Sequence, residues 1–106
     1  MSKPYRVVVL GLHHDHVWTH IQDIRRSARA QLVGVADPHL PLLSQVRERF
    51  SCATYADYDE LLGTIEADIA YVFASNRLSA YLAVMAAKRG LHVMIEKPLG
   101  ADLEGA

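Results

Sequence analysis

Val7-Val8-Val9-Leu10-Gly11-Leu12-His13-His14-Asp15-His16 is the stretch that decides the fold. The run Val7 to Leu10 is short, continuous and apolar, bounded by Arg6 and Gly11. Such a run reads as a strand buried on both faces, as strands of a parallel sheet are. Past the histidines the period changes. Val17, Ile21, Ile24 and Ala28 fall at i, i+4, i+7 and i+11, the single apolar stripe of an amphipathic helix. Strand, glycine and helix in that order open a β-α-β unit.

The same alternation continues along the chain. Leu32-Val33-Gly34-Val35-Ala36 is a second strand that stops at Asp37-Pro38. Pro41 suits a first helical turn, where its missing N–H has no helical partner to lose. Leu43, Val46 and Phe50 then supply the buried face of a helix to about Ser51. Cys52-Ala53-Thr54-Tyr55 is expected to form a short third strand. Asp57, three residues before Glu60, has the spacing of a capping box and opens a helix carrying Leu61, Leu62 and Ile65. Ile69-Ala70-Tyr71-Val72-Phe73 has strand composition throughout. Ser75 or Asn76 caps the next helix, with Leu78, Tyr81, Leu82 and Met85 expected toward the sheet and Gly90 at its C′ position. His92-Val93-Met94-Ile95 is the fifth strand. Glu96-Lys97-Pro98 follows it, which puts a charged pair at the carboxyl edge, where ligands sit in open α/β sheets.

The order β-α-β-α-β-α-β-α-β with short connections predicts an α/β fold. It is a Rossmann-type doubly wound parallel sheet with helices on both faces, forming a single three-layer domain over residues 1–106. A chain of 106 residues suits one domain. With 51% hydrophobic residues it can build a real core. Net charge is -1 with histidine neutral, and Lys and Arg are spread along the chain, so a nucleic-acid partner is not expected. Nor is a membrane partner, since Val7 to Leu10 falls far short of the ~20 apolar residues of a spanning helix. That run also lacks a cleavage pattern of small residues, so no signal peptide is read. Cys52 is the one cysteine, which rules out an internal disulfide and fits a cytoplasmic location. Ala101 to Ala106 reads as the opening of another helix, so the chain is expected to be truncated.

Taken together, the chain resembles the N-terminal, dinucleotide-binding half of Gfo/Idh/MocA-type oxidoreductases. The resemblance rests on Gly11 after the first strand, Val35-Ala36-Asp37 and Tyr58-Asp59-Glu60-Leu61-Leu62. It continues through Asp68-Ile69-Ala70, Ser75-Asn76, and Gly90-Leu91-His92-Val93 leading into Glu96-Lys97-Pro98-Leu99. The last stretch is the most specific. The resemblance implies hydride transfer between a sugar- or polyol-like alcohol and NAD or NADP, the small-molecule substrate being held by a C-terminal domain absent here. Lys97 is the implied catalytic contact, with Glu96 orienting it. Asp37 falls where an acidic residue accepts hydrogen bonds from the adenosine ribose; its charge would repel a 2′-phosphate, which favours NAD. Ser75 and Asn76 match the segment near the nicotinamide ribose. On the residues alone each has a plainer reading: a solvated Glu96-Lys97 pair, a turn-forming Asp37, and Ser75 or Asn76 as helix caps. A homo-oligomer stays open, because a face left bare by a missing domain could pair with a copy of itself.

The exit of the first strand departs from the family pattern. G-x-G-x-x-G needs its second glycine for close approach of the diphosphate and its third for helix–strand packing. Only Gly11 is present; His13 and His16 hold the other two positions. A side chain at position 13 should crowd the phosphates, yet helix N–H groups and the imidazoles of His13 and His14 can still donate to them. Cofactor binding is therefore expected to be weakened or re-posed, and a non-catalytic binding or assembly module is the alternative. Four of the six histidines lie between positions 13 and 20, and His16, His20 and Asp23 share a helical flank. With no H-E-x-x-H motif and no distant ligands, we expect no metal there, and histidines that face water or fill the phosphate pocket.

Overall fold

In the computed structural model the described residues are 4–12, 16–50, 52–73 and 76–95, the side chains of His16 and Asn76 excepted. Strands β1 (Tyr5–Leu10), β2 (Ala30–Ala36), β3 (Thr54–Tyr55), β4 (Ile69–Val72) and β5 (His92–Ile95) form one sheet. Helices α1 (His16–Arg26), α2 (Leu40–Phe50), α3 (Tyr58–Thr64) and α4 (Asn76–Lys88) connect them in turn. The strand order is β3-β2-β1-β4-β5 and every pairing is parallel. This is the expected Rossmann-type sheet, and its order reverses direction between β1 and β4.

Two clusters sandwich the sheet. On one face Val7, Val9, Val35 and Phe73 meet Val17, Ile21 and Ile24 of α1 and Leu43, Val46 and Phe50 of α2. On the other, Val8, Leu10, Ala36, Ala70 and Val72 meet Leu61 and Leu62 of α3 and Leu82 and Ala86 of α4. Val7 to Leu10 are all buried, as a central strand covered on both sides requires. Helices α1 and α2, which carry the chain one way from β1, share a face; α3 and α4, which carry it the other way, share the opposite face. Right-handed crossovers produce that division. Trp18 stacks on Phe50 with centroids 6.3 Å apart, and the Arg49 guanidinium lies 5.2 Å from the Trp18 ring, joining α1 to α2.

Between Val7 and Val8 the ladder to β2 skips a residue: Val7 pairs with Leu32, but Val8 pairs with Gly34. The extra residue, Val33, joins the α3/α4 cluster, and Gly34 next to it faces Leu61 and Ile65. Two successive residues thus point to the same side, the mark of a bulge. A Cβ on Gly34 would stand 2.8 Å from Ile65 Cδ1, so glycine is what lets α3 approach β2.

Several sequence expectations shift in detail. Helix α1 ends at Arg26, so Ala28 lies beyond it and is exposed rather than on the stripe. Tyr81 is 59% exposed instead of facing the sheet, because the small residues Ser79 and Ala86 occupy the close-packed positions of α4. The Asp57 cap bond comes from the Asp59 N–H at 2.9 Å, one residue earlier than a capping box specifies. Gly90 does end α4 with φ of 84°. The Gly90 N–H donates to the Ala87 carbonyl and the Leu91 N–H to that of Ala86.

Candidate functional site

The register aligns Tyr55, Ala36, Leu10, Val72 and Ile95 in one row across the carboxyl edge of the sheet. Just past that row the strands hold each other by three further bonds. The Gly11 N–H donates to the Ala36 carbonyl at 2.8 Å, the Asp37 N–H to the Tyr55 carbonyl at 3.0 Å and the Phe73 N–H to the Leu10 carbonyl at 2.9 Å. The exits of β1, β2 and β4 therefore meet where the strand order reverses, the place where open α/β sheets leave a crevice.

Gly11 has φ of 94°, a left-handed conformation that a Cβ would strain. Leu12 turns its side chain into the α1/α2 core and is buried. Its N–H donates to Asp37 Oδ2 at 2.7 Å. The other oxygen, Oδ1, accepts the His39 N–H, also at 2.7 Å. Asp37 itself is 7% exposed. His39 precedes α2, and its carbonyl accepts from the Leu42 and Leu43 N–H groups. Beneath, Tyr58 at the start of α3 feels burial first and the Asp37 charge second, and its phenol is pushed up to about 12. Sequence reasoning gave neither His39 nor Tyr58 a place here. Tyr58 stood in a quoted motif, but only the fold brings it within reach of the Asp37 charge.

Of the sequence-predicted residues, the structure brings Gly11 and Asp37 to one corner, while Asn76 opens α4, the helix that follows β4. The Asn76 side chain, with His13, His14, Ser75, Glu96 and Lys97, lies outside the described residues. His20 packs against Phe73 and Tyr71, ring centroids 5.2 and 6.0 Å away, while Asp23 on the same helix is exposed. His20 therefore looks toward the sheet and Asp23 toward water. Among the described residues no group of three or more His, Cys, Asp or Glu side chains could hold a metal ion. No described helix is long and apolar enough to cross a membrane.

Residues 5–106 match the sequence pattern of the oxidoreductase family with an NAD-binding Rossmann fold, Gfo/Idh/MocA. The chain belongs to that family. An uncharacterized oxidoreductase, ORF334 of Rhizobium meliloti, is 35% identical over 75 residues, 70% of this chain and 22% of that protein. Among solved structures, the WlbA dehydrogenase of Chromobacterium violaceum, in complex with NADH and UDP-GlcNAcA, superposes with a TM-score of 0.83 at 26% identity. The match covers 92% of this chain and 28% of that one. KijD10, a 3-ketoreductase of Actinomadura kijaniata in complex with TDP-benzene and NADP, gives 0.79 at 28% identity over 91% of this chain and 30% of its own. The myo-inositol 2-dehydrogenase of Lactobacillus plantarum gives 0.80 at 21% identity over 92% of this chain and 29% of its own, a likeness of fold. The chain thus spans under a third of the length of these relatives. Its membership in a Rossmann oxidoreductase family supports NAD(P) as the cofactor class without deciding between NAD and NADP.

Proposed function

We propose that this domain holds NAD, in preference to NADP, for an oxidoreductase that moves hydride between nicotinamide and a secondary alcohol of a sugar or polyol. The observation that carries the proposal is the Asp37 carboxylate at the end of β2, beside left-handed Gly11. Each carboxylate oxygen accepts one backbone N–H, and each has a second lone-pair site for a ribose hydroxyl. This pair of acceptors fits the hydroxyls on the ribose side of a dinucleotide, and a fixed negative charge there disfavours a 2′-phosphate. Gly11 with the N–H groups and imidazoles of His13 and His14 would cradle the diphosphate. Ser75 and Asn76 would hold the nicotinamide ribose.

When bound, nicotinamide supplies the hydride acceptor. Lys97 would bind the substrate hydroxyl through Nζ, orient it, and offset negative charge developing on its oxygen. A lysine whose pKa is lowered by burial can also take up the hydroxyl proton, and Glu96 would hold Nζ in place. The WlbA dehydrogenase, in complex with NADH and UDP-GlcNAcA, supports a polyhydroxylated small molecule as the substrate class. A second domain would supply most substrate contacts, and the cytoplasm, where Cys52 stays reduced, is the proposed setting.

Calorimetric titration with NAD and NADP tests the reading. Binding near micromolar, stronger for NAD, supports it. No heat at millimolar nucleotide favours the non-catalytic module, with His13 in place of the second glycine as the cause. In a full-length protein that turns over substrate, Lys97→Met should lower kcat by about a hundredfold or more with little change in NAD affinity, as loss of a proton-transfer or oxyanion contact does.

A further inference from the structure

We propose that Asp37 is a positioning residue for the backbone that leaves β1, over and above any contact with a ribose. The carboxylate joins two segments far apart in sequence. Oδ2 takes the N–H of Leu12, directly after Gly11, and Oδ1 takes the N–H of His39, directly before α2. Both bonds are 2.7 Å long, within the range of charge-assisted hydrogen bonds, and the side chain making them is buried.

The strand ladder explains why a carboxylate is needed. The Gly11 N–H still reaches the Ala36 carbonyl of β2. One residue on, the backbone has turned through the left-handed Gly11, and the Leu12 N–H is met by a side chain instead. Two N–H donors converge on one side chain, so both of its polar atoms must be acceptors. An ionised carboxylate meets that condition; an amide does not, because its NH₂ would face one of the two N–H groups. The same charge that would receive a ribose thus also fixes the direction in which the chain departs toward the diphosphate. That second half rests on the nucleotide-binding proposal; the tie itself does not.

The consequence concerns cofactor choice. If Asp37 were only a ribose reader, replacing it would weaken NAD and spare or improve NADP. As a tie it cannot be removed without releasing Leu12, so both nucleotides lose affinity together.

The test combines amide hydrogen exchange by NMR on the nucleotide-free chain with titrations of NAD and NADP. In the native chain the Leu12 and His39 amides should be protected. In Asp37→Asn at least one of them should exchange about tenfold faster or more, as loss of a hydrogen bond to a charged group predicts, with Val8 and Val72 unchanged. NAD and NADP affinities should both fall by about tenfold. Native Leu12 and His39 amides that exchange at unprotected rates overturn the proposal, even if the variant does not fold. So does an Asp37→Asn protein with both amides still protected, or one that binds NADP better than the native chain. If the native chain binds neither nucleotide while the exchange pattern is as expected, the proposed function fails and the tie stands.

Discussion

Tyr58 shows how a single side chain reports on the site beneath which it lies. Burial, and then the charge of Asp37, raise its phenol from 10.0 to about 12. The folded chain therefore keeps a proton that the unfolded chain releases near 10. Stability linked to this group is complete below that value and is lost as pH rises through about 12. Tyr58→Phe has no proton to release there. Urea denaturation should show the native midpoint falling relative to the variant's between these two pH values, the other tyrosines affecting both chains alike. Parallel curves would refute the coupling. At this scale the sequence was only half legible. Gly11 and Asp37 were readable from their places at strand ends. Its contacts with Leu12 and Tyr58 were not, because those residues lie far off in the chain and meet Asp37 only through strand order; the His39 N–H, two residues on, is the local bond that a turn-forming aspartate makes.

At the level of elements, hydrophobic spacing carried most of the information. Among the described residues all of the expected strands and helices are present, since a sheet covered on both faces forces continuous apolar runs and each helix needs one apolar stripe; the helix expected to open at Ala101 lies outside them. What failed to show was of two kinds. Strand starts such as Tyr5 and Ala30 are defined by backbone pairing, and their side chains are not fully buried. The inward face of α4 uses Ser79 and Ala86, whose small size a reading of large apolar residues passes over. The packing of α3 on β2 through Gly34 makes the sharpest prediction. Gly34→Val should destabilise the chain by about 1–3 kcal/mol, the usual cost of overpacking. Gly34→Ala should cost less, because Ile65 Cδ1 is the end of a side chain that can rotate away. Pairing Gly34→Ala with Ile65→Val should recover most of that loss in thermal melts. A Gly34→Val chain as stable as the native one would show that the helix rides higher than described.

Across the whole molecule, the two edges of the sheet do different work. The carboxyl edge gathers the candidate site. The amino edge is tied by Asp68, whose Oδ2 accepts the Arg6 N–H at 2.7 Å while its own N–H donates to the Arg6 carbonyl and its carbonyl accepts from His92. Three strands are thus aligned by one residue. The Arg6 N–H, followed by the guanidinium charge, holds the Asp68 carboxyl below its usual 3.8. Its contribution is present above that value and is lost as pH falls through the lower folded value. Asp68→Asn should therefore flatten the acid limb of the stability curve and leave nucleotide affinity unchanged. A variant with the native acid limb would assign the acid sensitivity elsewhere.

Val33 is an odd residue in a strand otherwise counted in pairs. Because pairing resumes with Val8 opposite Gly34, a chain lacking Val33 would still deliver the Asp37 carboxylate to the same side of the sheet. Length can vary by one at that point without turning the acid away from Leu12. One residue added between Gly34 and Asp37 would flip it to the far side, and the corner where three strand ends meet would lose its charge.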